Sequence, residues 1–153
     1  MDEAEEVLRY RTIAIVGLSR NPEKDSYKVA EFLKSKGYRI VPINPNAEDI
    51  LGEKAYPSLR DLPENLKAEL EVVNIFRRSE DVLPIVKEAL EISKRYGNIK
   101  AIWMQEGVIN IEAAEAAKKA GLIVIMNRCM MKERLKKEEM PEFKLDNSLI
   151  RGG

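Results

Sequence analysis

Short runs of apolar, largely β-branched residues recur along the chain, and segments with helical spacing separate most of them. Five runs predict strands, at residues 12–17, 38–43, 71–76, 99–104 and 122–126. Buried strands of a parallel sheet have this continuous apolar character because both of their faces are covered. Their alternation with helices predicts right-handed βαβ units. We therefore predict a Rossmann-like, doubly wound α/β fold of three layers, with about five main parallel strands in the order 3-2-1-4-5.

Helix signals occupy several of the segments between these runs. From residue 25 to residue 36 the apolar residues follow helical spacing, and Gly37 is typical of a residue that ends a helix. Ser79 and Asn110 are the predicted N-caps of the helices after the third and fourth strands. Their side chains can accept hydrogen bonds from the free amides of a first turn.

The remaining segments have weaker patterns. Residues 44–63 are rich in proline and predict a loop, with one short strand near residues 54–56. The tail, residues 132–153, is charged and then mixed, which suits either a helix or an arm. We expect residues 1–153 to form one domain.

Composition then excludes several classes of function. Lys+Arg and Asp+Glu are equal at 26 each, which argues against a nucleic-acid surface. The chain has no histidine and one cysteine, Cys129, so histidine-based triads, phosphohistidine chemistry and an internal disulfide are excluded. A zinc site would need an improbable set of ligands. No apolar stretch is long enough to span a membrane, and the N-terminus is acidic, so we expect a cytoplasmic protein. The lysine and glutamate content leans toward a thermophilic source.

The loops that follow the apolar runs carry the candidate chemistry. In an open parallel sheet, a ligand lies beyond the carboxyl ends of the strands, where the strand order reverses. The first of these loops, residues 17–28, begins with a glycine that allows a tight turn, and its free amides can hold a phosphate. Arg20, Lys24 and Lys28 add positive charge there. The alternative is an ordinary turn with solvated basic residues.

The glycine fingerprint of dinucleotide-binding proteins is mostly absent. Ser19 and Pro22 occupy the positions of its second and third glycines. The second strand ends in Asn44 and Pro45, where an NAD-binding protein has an acid that binds the ribose hydroxyls. A ribose with a 3′-phosphate would not favour a carboxylate at that position. The sequence therefore fits coenzyme A (CoA), or NADP, better than NAD.

Three further loops add candidates. Arg77 and Arg78 lie beside a predicted helix N-terminus and would reinforce an anion site, unless they are simply solvated. Gln105 and Glu106 follow the fourth strand as candidate ligand contacts, and Glu106 would be the general base of an enzyme. Cys129 follows the fifth strand. It is either a small buried apolar residue or a thiol near the CoA thiol, able to form a reversible mixed disulfide.

Taken together, these loops resemble the small CoA-binding proteins of bacteria and archaea, stand-alone versions of the CoA-binding domain of succinyl-CoA synthetase α subunits. The resemblance covers about residues 5–135. The segments that carry it are 15–22 (IVGLSRNP), 37–45 (GYRIVPINP), 52–59 (GEKAYPSL), 103–107 (WMQEG) and 127–129 (NRC).

The resemblance implies a CoA site with a definite orientation. Residues 17–20 would meet the phosphates, Asn44 and Pro45 would lie near the adenosine end, and residues 104–106 would face the pantetheine arm. Phe76 and Arg77 would flank the nucleotide. With Lys28 and Cys129 added from their positions in the loops, the predicted CoA-binding residues are Gly17, Leu18, Ser19, Arg20, Lys28, Asn44, Pro45, Phe76, Arg77, Met104, Gln105, Glu106 and Cys129.

The expected function is binding of CoA or an acyl-CoA, as a non-catalytic carrier, sensor or regulatory protein. We predict no catalytic and no metal-binding residue. The related synthetases phosphorylate a histidine in a second domain, and this chain has neither, which excludes ligase activity by that route for the chain alone. Three alternatives stay open: an NAD(P)-binding redox sensor, an acyl-CoA-processing enzyme that uses Glu106 or Cys129, and a purely structural domain. We expect no nucleic-acid or membrane partner, whereas a homodimer or another protein partner stays open.

Overall fold

Seven strands and six helices follow one another along the chain in the computed structural model, which describes residues 1–140. The strands are β1 (Thr12–Val16), β2 (Arg39–Ile43), β3 (Asp49–Ile50), β4 (Glu53–Lys54), β5 (Val72–Ile75), β6 (Ala101–Met104) and β7 (Ile123–Ile125). The helices are α1 (Glu3–Leu8), α2 (Asp25–Ser35), α3 (Glu64–Glu69), α4 (Val82–Tyr96), α5 (Ile111–Lys119) and α6 (Met130–Lys137).

Five of the strands form one parallel sheet in the order β2-β1-β5-β6-β7. Helices α1, α2 and α6 pack on one face around side chains such as Ile13 and Trp103. Helices α3, α4 and α5 pack on the other face around Val73 and Ile102. Because both faces are covered, β1, β5 and β6 are buried along their whole length. The Rossmann-like three-layer fold predicted from the sequence is confirmed.

The predicted strand order needs one correction. The third main strand, β5, lies beside β1, on the side away from β2. The place beyond β2 is taken by Tyr56, which forms a single parallel bridge to Ile43. Pro57 comes next and has no amide hydrogen for a longer ladder, so the chain leaves this edge and returns to the other side of β1. The strand order reverses between β1 and β5, and a ligand site is expected at that point.

The local predictions had mixed outcomes. Asn110 caps α5 as expected, since its side-chain oxygen accepts a hydrogen bond from the amide of Ala113 at 2.9 Å. The prediction that Ser79 is the N-cap of α4 is wrong. A 3-10 turn at Ser79–Asp81 comes before α4, and the Ser79 hydroxyl instead accepts a hydrogen bond from the amide of Ile109 at 2.9 Å. Ser79 therefore links the starts of α4 and α5.

The predicted C-terminal helix is present in part as α6, while residues 141–153 lie outside the described residues. Helix α6 is held against α1 by Lys137, whose amino group lies 3.1 Å from a carboxylate oxygen of Asp2 and 3.5 Å from one of Glu5. Within residues 1–140, no helix combines the length and the apolar character that crossing a membrane requires.

Candidate functional site

The loops after β1 and β5 come into direct contact at the point where the strand order reverses. Gly17 has a φ of +87°, and its amide donates a hydrogen bond to the carbonyl of Ile43 at 3.0 Å. A Cβ atom at this position would lie 2.2 Å from the carbonyl oxygen of Phe76. Both the conformation and the close approach therefore require glycine. Gly17 lines one depression in the surface at this edge of the sheet, and Phe76 lines another.

The loop between Gly17 and α2 is stiffened by its own side chains. The Ser26 hydroxyl accepts a hydrogen bond from the Ser19 amide at 3.0 Å, and the Ser19 hydroxyl accepts one from the Asn21 amide at 3.0 Å. Lys24, the N-cap residue of α2, supplies no side-chain hydrogen bond to the first turn. The first turn of α2 is thus left without a side-chain cap, an arrangement that favours an anion.

On one side of Gly17 lies a cleft of about 340 Å³, which we call the proline cleft. Pro45, Pro57 and Pro84 contribute to its lining, together with apolar side chains from the ends of β1 and β2. Arg77 lines it as well. Rigid apolar walls of this kind suit a flat ring, whereas the guanidinium suits an anion.

Three carboxylates also line the proline cleft: Glu80, Asp81 and Glu88. One carboxylate oxygen of Asp81 lies 3.7 Å from a guanidinium nitrogen of Arg77. Burial raises the pKa of Glu88, and the charge of Arg60, 3.7 Å away, opposes that shift. The cleft therefore holds more negative than positive groups.

Phe76, which contacts Gly17, lines a second cavity of about 200 Å³, which we call the thiol cavity. Its lining includes Cys129, the free cysteine at the N-cap position of α6. Cys129 is buried, as the structural alternative expected, and it also borders the cavity, as the ligand-binding alternative expected. Two cationic and two anionic side chains line the same space: Lys28, Lys132, Asp25 and Glu106.

Gln105 joins the two walls of the thiol cavity. Its side-chain oxygen accepts hydrogen bonds from the amide of Met130 at 3.0 Å and from the side-chain amide of Asn74 at 3.2 Å. In addition, the Gly107 amide donates to the side-chain oxygen of Asn127 at 2.7 Å. Because Cys129 itself gives α6 no side-chain cap, Gln105 supplies the acceptor that the helix start lacks.

Glu106 and Lys132 face each other at the rim of the thiol cavity. The Lys132 amino group lies 2.9 Å from a carboxylate oxygen of Glu106, and this hydrogen bond and charge raise the pKa of Lys132. Both side chains are more than half exposed. The carboxylate of Glu106 is thus engaged in an ion pair with Lys132.

The predicted site residues fall into three groups. One group lines the proline cleft: Gly17, Pro45 and Arg77. Another lines the thiol cavity: Lys28, Phe76, Gln105, Glu106 and Cys129. The rest line neither space: Leu18, Ser19, Arg20, Asn44 and Met104.

Members of the third group differ in what they can contribute. Leu18 and Met104 are fully buried, so neither residue exposes surface that a ligand could contact. Arg20 is exposed on the loop after β1. Asn44 donates a hydrogen bond to the carbonyl of Leu18 at 2.9 Å and accepts one from the amide of Asn46 at 2.7 Å. Asn44 therefore fixes the position of one loop against another.

The sequence did not predict that Glu80, Asp81 and Glu88 line the proline cleft, and we call these three carboxylates its acidic wall. Glu80 and Asp81 fit the ordinary preference for acids at a helix start, and nothing in the pattern showed that they border a cleft. Glu88 lies two turns into α4, and its place in the cleft depends on how α4 packs beside Pro57 and Leu59. The acids of this cleft thus come from α4 and the turn before it, and not from the end of β2.

The chain is similar to known proteins in sequence and in fold. The family model for the CoA-binding domain matches residues 11–134. The uncharacterized protein YneT of Bacillus subtilis is 36% identical over 129 residues, which covers 84% of this chain and 89% of that protein. The solved structure of a hypothetical protein from Pyrococcus horikoshii is 38% identical with a TM-score of 0.78, covering 88% of this chain and 89% of that one.

A partial match extends to larger enzymes. The ADP-forming acetate–CoA ligase II of Archaeoglobus fulgidus is 38% identical over 58 residues, which is 37% of this chain and 9% of the ligase. The match to the family model covers most of this chain, including every predicted site residue and both cavities. The chain belongs to the family of CoA-binding domains.

Proposed function

We propose that the protein binds CoA or an acyl-CoA across the carboxyl edge of the sheet. The adenosine end lies in the proline cleft, and the pantetheine arm lies in the thiol cavity. The observation that carries this proposal is the pair of depressions lined by Gly17 and by Phe76, two residues in close backbone contact, in a chain of the CoA-binding family. CoA likewise has a flat base at one end, a long neutral arm at the other and a diphosphate between them.

The proline cleft suits the adenosine end. Its volume of about 340 Å³ and its walls of Pro45, Pro57 and Pro84 provide rigid apolar surface on which a purine can pack. Prolines lose little freedom when they are covered, so contact with them costs little conformational entropy.

The region between the two spaces suits the diphosphate. Gly17 has no side chain, so a ligand can approach the backbone there. The first turn of α2 has no side-chain cap, and its free amides lie at the positive end of the helix dipole. Arg77 lines the proline cleft and packs beside Gly17, and Lys28 lines the thiol cavity, so each space has a cation for the diphosphate. A guanidinium can bind phosphate through two hydrogen bonds at once.

The thiol cavity suits the uncharged arm. Its charged lining is balanced in sign, and Cys129, Phe76 and Met131 add apolar surface. A carrier, sensor or regulatory role in the cytoplasm, without turnover, is part of the same proposal. With no histidine in the chain and Glu106 paired to Lys132, the residues on hand favour binding over acid–base chemistry. The question of a homodimer or another protein partner stays open.

Isothermal titration with CoA, NAD and NADP tests the proposal. We expect CoA to bind with a Kd of about 1 μM or tighter and both dinucleotides to bind more weakly. Arg77→Gln should weaken CoA about tenfold, because a charge-assisted hydrogen bond is lost. The matched control is Arg11→Gln, which removes an exposed guanidinium just before β1, at the opposite edge of the sheet, and it should change the affinity less than about twofold. A preference for NAD, or equal losses in the two variants, would contradict the proposal.

A further inference from the structure

The acidic wall of the proline cleft affects whether the protein favours a ribose with a 3′-phosphate or one with free hydroxyls. Glu80 and Asp81 lie in the 3-10 turn before α4, and Glu88 lies within α4. All three line the cleft, whereas Arg77 is the one basic residue among its described lining. Glu88 is largely shielded from water, with 19% of its side chain exposed.

Neighbouring cations offset this wall only in part. Asp81 lies 3.7 Å from Arg77 and 3.1 Å from Arg78. Arg78 also lies 3.5 Å from Glu80, so it divides its charge between two carboxylates. Arg60 approaches Glu88 at 3.7 Å from outside the cleft. Because Arg60 and Arg78 lie outside the lining, the surface of the cleft itself holds three carboxylates and one guanidinium.

Carboxylates interact differently with a ribose that carries a phosphate and with a ribose whose hydroxyls are free. A phosphate monoester carries a charge of about −1.5 to −2 near pH 7, so carboxylates repel it, and more strongly where water is excluded. Ribose hydroxyls, by contrast, donate hydrogen bonds to carboxylates, as they do at the acid that ends the second strand in NAD-binding folds. In this protein Asn44 occupies that strand end, and the carboxylates come from α4 and the turn before it instead.

We propose that the protein does not use the 3′-phosphate of CoA for recognition, so that dephospho-CoA binds at least as tightly as CoA. This inference rests on the proposed function, because it assumes that the adenosine end occupies the proline cleft. The carboxylates of Glu80, Asp81 and Glu88 face the ribose, and a 3′-phosphate must turn outward into water.

The test is a titration of CoA and dephospho-CoA side by side, at about 50 mM and about 500 mM salt. At low salt we expect dephospho-CoA to match or exceed CoA in affinity. The difference should shrink at high salt, because ions screen repulsion between partly exposed charges. Salt dependence in the wild-type protein keeps the inference testable even if a variant fails to fold.

The matching variant is the double substitution Glu80→Gln and Glu88→Gln, which leaves Asp81 in place to hold Arg77. It should shift the ratio of affinities toward CoA by about three- to tenfold. Glu115→Gln, an exposed carboxylate on α5, is the control and should leave the ratio unchanged. Circular dichroism and thermal unfolding establish that the variants are folded.

The outcomes separate the two proposals. Binding of CoA more than about twofold tighter than dephospho-CoA would overturn the inference and leave the proposed function standing. A ratio that does not move in the folded double variant would also overturn it, because the carboxylates would then not face the ribose. Failure of both ligands to bind would refute the proposed function itself.

Discussion

The proline cleft and the thiol cavity lie on opposite sides of one backbone contact, yet they are built differently. The cleft owes its shape to three prolines, and its charged lining is predominantly negative. The cavity owes its shape to hydrogen bonds between two loops, centred on Gln105, and its charged lining is balanced. Rigid proline rings thus shape the proline cleft, whereas hydrogen bonds shape the thiol cavity.

This difference matters for what each space can recognise. Prolines hold their positions with or without a ligand, so the cleft is preformed for a rigid group such as a purine. The cavity depends on the placement of α6, whose start is capped by Gln105 from a neighbouring strand. Substitutions should therefore act on the two spaces in different ways.

The largest effect is expected where the two spaces meet. In Gly17→Ala, the new Cβ atom would lie 2.2 Å from a backbone oxygen of Phe76, and the residue would also be held at a φ of +87°. We expect a loss of more than ~2 kcal/mol of stability and loss of CoA binding, because the loops after β1 and β5 must separate. Chemical denaturation and calorimetry measure both quantities.

Gly97→Ala is the matched control for this substitution. Gly97 has a φ of +75°, but a Cβ atom there would meet nothing within 4 Å. It should cost only the conformational strain, about 1–2 kcal/mol, and CoA should still bind. Equal losses from the two substitutions would show that the contact with Phe76 is unimportant.

Much of this architecture could be predicted from the sequence. Continuous apolar runs identify buried parallel strands, and the ends of those strands place Gly17, Arg77, Gln105 and Cys129 at one edge of the sheet. These features are local, since a strand and the loop after it are adjacent in the chain.

What depends on distant contacts could not be predicted. The side of β1 on which β5 pairs depends on where the proline-rich loop leads the chain, and no local pattern records this. The hydroxyl of Ser79 bonds to the amide of Ile109, 30 residues away, rather than to its own helix. Glu88 borders the cleft only because α4 packs beside that loop.

A second substitution pair examines the walls of the thiol cavity. Gln105→Met leaves the amide of Met130 and the side-chain amide of Asn74 without their acceptor, in a buried site. We expect a cost of ~1–3 kcal/mol and weaker CoA binding. Gln105→Glu keeps an acceptor at the start of α6 and should retain more of both properties. If the two variants lose CoA affinity equally, the Gln105 amide group contacts the ligand rather than positioning α6.

The smallest expected effect is on the pH dependence of stability, through an ion pair at the loop that carries Cys129. Burial alone would raise the pKa of Glu133, but the guanidinium of Arg128, 2.7 Å away, holds it below its usual value. The ion pair therefore stabilises the fold above the unfolded pKa, near 4.5, and this contribution is lost as pH falls through the folded pKa. Because Arg128 is 41% exposed, the contribution should be less than ~1 kcal/mol.

Unfolding of the wild-type protein and of Glu133→Gln, measured from pH 6 to pH 3, checks this. The difference in stability between the two proteins should shrink as the pH falls. A difference that stays constant over that range would mean that the ionised carboxylate of Glu133 does not stabilise the fold.

The central claim is that one ligand occupies both spaces, and alkylation of Cys129 tests it most directly. Cys129 is the single cysteine of the chain, so mass spectrometry of the iodoacetamide adduct reports on the thiol cavity alone. Acetyl-CoA, whose own thiol is blocked, and ADP, which has no pantetheine arm, are each added at saturating concentration. We predict that acetyl-CoA slows alkylation at least about tenfold and that bound ADP does not. Equal protection by ADP, or no protection by bound acetyl-CoA, would contradict the account.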